Sequence, residues 1–509
     1  MLIAPSMASA LARSRAQAFT EIQQLIQQGS LAEAERQLTE ALKEFPKDAA
    51  LHDLRGVVEA EKQNYHSAES EFRKAIELDP LLAGAYLNLG HLYQQNGADD
   101  RDAAQKALAV YEKLLGFDPG NVEANYQSAV LIERRKSFRQ SLDHLSRLPA
   151  PDQDKAQALS LRCADFAGLG DHAQADAAGD RLLKSPDLTE ADVSLILPVL
   201  DANHWDDLEQ GLLEGAVNRG LAGAELLEGL GRLYFRKGKL DDARATLERV
   251  ATARPQSVDV LLELARVANE QNDHTGALGY LAHAREMDPQ NPAIHFFFGM
   301  VSLEENLLEE AYESLRRAER LAPENAYYNY ALGIVAQQRA DPSEAVPYFR
   351  KYCALRPRDP RGRLQLGITY FESHQQELAR NELESVVGFR ETAAAAHFFL
   401  GRIANQEGKF SEALHELHQA LEVEPNYADP LAEEGIIYMK QKEYAAAERA
   451  LLHALAMDPA HYAANLNLMI LYQRTGDGRA EAQAKRFEEV KQERAKNAKL
   501  ALRSIEIVR

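Results

Sequence analysis

The side chains best suited to chemistry are few, and their spacing supports no reaction. His415 and His418 lie in the run His-Glu-Leu-His, whereas the zinc-protease pattern requires His-Glu-x-x-His on one helix. Cys163 is a potential nucleophile, yet it occupies a slot that similar stretches fill with Gly or Ala, as a small core residue would. Gly168-x-Gly170 and Gly229-x-Gly231 follow helical patterns and lack the preceding strand and third glycine of a dinucleotide loop. With 78 Asp and Glu residues, any pairing of carboxylates carries no information. The expectation is a chain that is not an enzyme, with no catalytic, cofactor-binding or metal-ligating residues to assign.

The elements that hold these residues follow a repeat. Pro255, Pro289, Pro323, Pro357, Pro425 and Pro459 fall on one 34-residue grid, Pro119 lies on the same grid, and Pro46 and Pro80 are themselves 34 apart. Seven of the eleven grid slots from 119 to 459 hold proline, far above chance for 19 prolines in 509 residues. Placing the proline at position 32 puts Gly56, Gly90, Gly231, Gly299, Gly333, Gly367, Gly401 and Gly435 at position 8. Position 20 is alanine in eleven of thirteen repeats, among them Ala34, Ala68, Ala243, Ala345 and Ala447. Position 11 is often tyrosine (Tyr93, Tyr234, Tyr370), and position 24 is bulky (Phe72, Tyr111, Phe349). Small residues at 8 and 20 let two antiparallel helices cross closely, and the residues at 11 and 24 fill the space beside the crossing. Turns such as Gly238-Lys239, Asn272-Asp273 and Gly408-Lys409 join the helices, and proline at 32 ends the second one. Stacked repeats of this length bury their apolar faces against one another.

This pattern resembles the tetratricopeptide repeat (TPR), most clearly in LNLGHLY (87–93), LEGLGRLYFRKGKLDDARATLERV (227–250) and FFLGRIANQEGKFSEALHELHQALEVEP (398–425). The resemblance covers residues 15 to about 493 and implies an all-α, right-handed α-solenoid of about fourteen stacked helix–turn–helix repeats. The expected organisation is an N-terminal leader over 1–14 and TPR repeats over 15–119 with a five-residue insertion around Ala98–Gln105. Degenerate TPR-like repeats over 120–221 follow, then a TPR array over 222–493 and a basic capping helix or tail over 494–509. In the degenerate stretch, position 8 becomes Ala129, Cys163 and Leu197, position 20 becomes Ser141 and Glu209, and Pro198 interrupts a helical run shortly before Trp205.

The resemblance also implies that the first helix of each repeat lines a concave groove through positions 2, 5, 9, 12 and 13. Transferred to this chain, those positions nominate Arg232, Phe235, Arg266, Phe296, Met300, Tyr330, Ile334, Arg361, Ile368, Phe371, Phe398, Arg402, Ile436 and Met439 as peptide-binding residues. Apolar anchors would bury a ligand's side chains while the arginines pair its carboxylates. The family's clamp for a C-terminal carboxylate is unsupported, because Asp53 and Val57 stand where it needs Lys and Asn. The groove asparagine ladder of O-linked N-acetylglucosamine transferases is likewise missing: position 6 varies from Asn88 to Glu263 and Phe297.

Composition narrows the partners. A formal charge of −20 disfavours coating nucleic acid and anionic membranes, and no apolar run reaches the roughly 20 residues that span a bilayer. Residues 2–12, LIAPSMASALA, read as a leader to the first helix because no cationic region precedes them; the alternative is the remnant of an export signal. The expectation is a cytoplasmic scaffold or adaptor for protein segments, exported or periplasmic if that signal is real. The alternative is an accessory TPR subunit of an enzyme or of a secretion or envelope assembly, with catalysis in a separate chain.

Overall fold

Residues 15–95 and 102–497 are described by the computed structural model. The 1–14 leader, residues 98–101 of the insertion and the 498–509 part of the tail lie outside these described residues. Within them the chain is all-α and has no strand, with paired helices such as Ala49–Glu61 with Tyr65–Leu78 and Ala326–Gln338 with Pro342–Leu355. Two units are distinguished, one ending at Lys237 and the other beginning at Gly238. Each consists of helical hairpins stacked in sequence order. Most first helices of successive hairpins touch one another, whereas the second helices pack chiefly on the first helix before and after them. The first helices therefore form the more closely spaced, inner layer of each unit.

The hairpin crossing is set by volume. A methyl group added at Gly333 would lie 2.6 Å from the ring of Phe349, and one at Gly90 would lie 2.3 Å from the ring of Tyr111. Where position 8 carries alanine, as at Ala129 and Ala265, position 24 shrinks to the fully buried Leu145 and Leu281. Aromatic rings stand at position 24 only opposite glycine at 56, 90 and 333. The degenerate stretch reverses the arrangement: Cys163 takes position 8 and Gly179 faces it, with Sγ 3.8 Å from where a Cβ would stand.

Three recurrent polar devices supplement this packing. Position 34 caps the following helix: the side chains of Asp48, Asn121, Asn291, Asn325 and Asp359 accept hydrogen bonds from N–H groups in its first turn, each worth about 1 kcal/mol. Position 4 reaches back six residues to the carbonyl of the preceding repeat's proline, through Asn125 to Pro119 at 2.9 Å and His295 to Pro289 at 3.0 Å. Position 11 ties neighbouring hairpins, since the Tyr93 hydroxyl donates to Glu69 at 2.6 Å and that of Tyr472 to Glu448 at 3.0 Å. The tyrosines therefore bridge hairpins as well as filling space.

Among the described residues, the turn within each hairpin places position 15 in the left-handed region. Glycine meets that demand at Gly170, Gly238, Gly408 and Gly476, but Gln63, Asn272, Ala340 and His374 adopt it with side chains. Ala340, at φ 57°, has no side-chain hydrogen bond to offset the clash of its Cβ with the backbone. Ala340→Gly is expected to raise unfolding free energy by about 0.5–1 kcal/mol, read as a higher urea midpoint; an unchanged or lower midpoint would show that the turn carries no such strain.

The 120–221 stretch remains helical, with pairs such as Ala156–Leu169 and His172–Lys184. Pro198 does not break its helix as the sequence suggests. It lies inside Glu190–Ala202, whose buried Val193, Ile196 and Leu200 hold the helix in register across the missing N–H. Glu209, replacing the usual alanine at position 20, is buried and receives Arg236 at 2.6 Å. That pairing offsets the cost of a carboxylate in the crossing.

Candidate functional site

The nominated groove residues fall in both units, Arg232 and Phe235 in the first and the remainder in the second. Arg232 is exposed and donates to Glu228 at 2.7 Å, and Phe235 is half-buried. In the second unit, Phe296, Tyr330, Ile334, Ile368 and Ile436 are half-buried on the inner helices, and Arg266 is exposed. Met300, Phe371, Phe398 and Met439 are only 2%, 5%, 7% and 6% exposed. The adjacent hairpins close over these four, so their side chains mainly hold the layer together and present an edge.

The arginines occupy different environments. The guanidinium of Arg361 forks onto Asp359, with Nη2 to Oδ2 at 2.7 Å and Nε to Oδ1 at 3.0 Å. Burial raises the Asp359 pKa, but hydrogen bonds from Arg361 and the Tyr352 hydroxyl outweigh it and hold the carboxyl down at about 2. Arg402 instead lies over three rings, 4.6 Å from the centroid of Phe371, 5.5 Å from Phe399 and 5.6 Å from Phe398. Cation–π attraction holds it there, and among the described residues no carboxylate lies within ion-pair distance of it.

Sequence reasoning missed several members of this surface. Phe399 is half-buried between Phe371 and Phe398, with ring centroids 5.5 and 5.2 Å away. Gln337 donates to Thr369 across two hairpins at 2.9 Å, and Lys440 donates to Asn405 at 2.7 Å while Asn405 donates to Glu433. Tyr327 carries the Arg356 guanidinium 5.2 Å from its ring centroid. Tyr327 at position 2, Gln337 and Asn405 at position 12 and Lys440 at position 13 stand where the resemblance already expected groove residues, whereas position 6, with Phe399 and Glu433, lay outside that set.

The residues that first suggested chemistry are placed structurally. Cys163 is fully buried, and burial pushes its thiol up to about 12, so it stays protonated. His418 contacts the buried Glu434 at 3.0 Å, while His415 is exposed. Among the described residues, no three His, Cys, Asp or Glu side chains gather to hold a metal, and no helix is long and apolar enough to cross a membrane.

Comparison with known proteins matches the repeat directly. Three family models, each described as tetratricopeptide repeat, cover residues 19–83 and 228–292, 268–333 and 404–454, and 82–120. A curated relative, superkiller complex protein 3 of Homo sapiens, is 22% identical over 281 residues, which is 55% of this chain but only 16% of the relative's length. Among solved structures, the APC/C hetero-tetramer Cut9-Hcn1 is similar at TM-score 0.39 and 15% identity, over 91% of this chain and 97% of that one. PilF of Pseudomonas aeruginosa is similar at TM-score 0.35 and 23% identity, over 42% of this chain and 96% of its own. The 34-residue spacing, the small-residue crossings and matches over more than half of its length make this chain a member of the tetratricopeptide repeat family.

Proposed function

We propose that the chain is a non-catalytic scaffold or adaptor that holds segments of partner proteins along the inner helix layer of its second unit. The observation carrying this reading is the set of half-buried apolar side chains Phe296, Tyr330, Ile334, Ile368 and Ile436 on four first helices of that unit. Such a set is incompletely covered by its own chain, and apolar surface left open in this way marks interaction sites. Arg402, fixed on its three phenylalanines, adds a preorganised cation among them. Because stacked hairpins hold the surface in place, the ligand supplies most of the conformational entropy lost on binding. Two unpaired cysteines, one of them buried, suit a cytoplasmic location.

A second reading, an accessory subunit whose catalytic partner is a separate chain, draws support from the human relative, which is named as a component of a complex. Affinity capture with wild-type protein and a Phe296→Ala/Ile334→Ala/Ile368→Ala variant tests the main reading. The expected result is a partner retained by the wild type and lost from the variant at unchanged helicity. Identical captures would remove these residues from the binding surface.

A further inference from the structure

A cationic cleft lies apart from the apolar run. In a chain of net charge −20, residues 350–363 contain six Lys and Arg side chains and a single carboxylate, Asp359. Three of these cations are already engaged: Arg350 donates to the Tyr370 hydroxyl at 2.7 Å, Lys351 to Glu319 at 2.5 Å and Arg363 to Glu382 at 3.2 Å. A fourth, Arg361, is bound to Asp359. Arg356 and Arg358 are exposed, and among the described residues neither has a carboxylate within ion-pair distance.

These two arginines line an open cleft of about 710 Å³ formed by Leu355 to Arg361 and by Glu391. Its floor is rigid. Pro357 and Pro360 restrict the turn, and Asp359 caps the helix Pro360–Glu372 through the N–H of Arg361. The Tyr352 hydroxyl donates to the same carboxylate, and Tyr352 packs against Tyr330 and Tyr327 with centroids 5.0 and 6.4 Å away. Arg356 is steadied on Tyr327 with its donors left toward solvent. The result is a pair of unspent guanidinium forks on a tyrosine-backed, proline-braced wall, the residue types that dominate binding energy at interfaces.

We infer that this cleft docks a short acidic segment of a partner protein, whose Asp or Glu carboxylates pair with Arg356 and Arg358 while its apolar atoms rest on Leu355. Carboxylates fit the planar fork bidentately. A nucleic acid fits poorly, because its charge extends well beyond a Debye length of about 10 Å and would meet the strongly acidic remainder of the chain. The site shares Arg361 with the groove nominated above but does not depend on it.

Fluorescence anisotropy with a labelled octaglutamate peptide tests the assignment, with a Gly-Ser peptide of equal length and a single-stranded oligothymidine as controls. The wild type is expected to bind octaglutamate in preference to both controls, more weakly as salt rises. Arg356→Gln/Arg358→Gln should lower that affinity about tenfold, with unchanged circular dichroism because both side chains are exposed. The Phe296→Ala/Ile334→Ala/Ile368→Ala variant should bind octaglutamate as the wild type does, which separates this site from the apolar run. No binding by the wild type, equal binding by the arginine variant, or a preference for oligothymidine would each overturn the inference.

Discussion

Phe349→Ala is expected to lower the unfolding free energy of the second unit by about 3–5 kcal/mol, the cost of deleting a fully buried ring whose surroundings close only partly. The side chain is 0% exposed, and its ring fills the space above Gly333, edge-on to Tyr330 at 5.7 Å between centroids. The partner substitution tests the same contact from the other side. Gly333→Ala adds a methyl group 2.6 Å from that ring and is expected to cost about 1–3 kcal/mol. Combining it with Phe349→Leu recreates the Ala–Leu crossing found at Ala129 with Leu145 and Ala265 with Leu281. The double variant should therefore lose less stability than the two single changes added together. Urea unfolding followed by circular dichroism measures all four proteins; strict additivity would show that positions 8 and 24 do not constrain each other.

The second large effect depends on pH and resides in the first unit. Asp165 is 0% exposed in the helix Ala156–Leu169, and neither carboxylate oxygen has a hydrogen-bond partner. The Ser141 hydroxyl lies close enough to favour the ionised form without completing a full hydrogen bond. Burial raises the carboxyl to about 8, and the neighbouring charge of Glu133 adds to the shift. Between about pH 4 and 8 the folded chain retains a proton that the unfolded chain has released. The contribution to stability is thus full below pH 4, declines as pH rises, and is lost above pH 8.

Asp165→Asn keeps the shape and removes the titration. The variant should match wild type within about 1 kcal/mol at pH 4 and exceed it by about 2–5 kcal/mol at pH 9. Parallel unfolding curves at the two pH values provide the check. A difference between the proteins that is constant across pH would mean that Asp165 is ionised throughout.

The hairpin was readable in the residues because its determinants are local and periodic. Alanine at 20, glycine at 8 and proline at 32 recur at 34 residues, and each acts within a single hairpin or at its end. Cys163 was readable as a core residue for the same reason, since it stands in a slot reserved for small side chains. The caps at Asp48 and Asn325 were equally local, two residues past the proline, and could have been found from the same register. Left-handed turns at Ala340 and His374 were hidden, because closure of the hairpin imposes a conformation that those residue types do not announce.

What spacing could not supply was the distance between hairpins. Helical periodicity places Met300, Phe371 and Phe398 on the inner face, but only the packing of adjacent helices decided that they are nearly covered while Ile334 and Ile368 stay open. The arginines divide in the same way. Arg361 meets a carboxylate two residues away, whereas Arg402 rests on rings brought from two hairpins, and Arg356 and Arg358 are left without a carboxylate partner by the course of a turn. Residue type and period determined which helix pairs form and how each closes on itself. Tertiary packing alone decided which of the inner side chains remain available, since their exposure depends on the neighbouring hairpins.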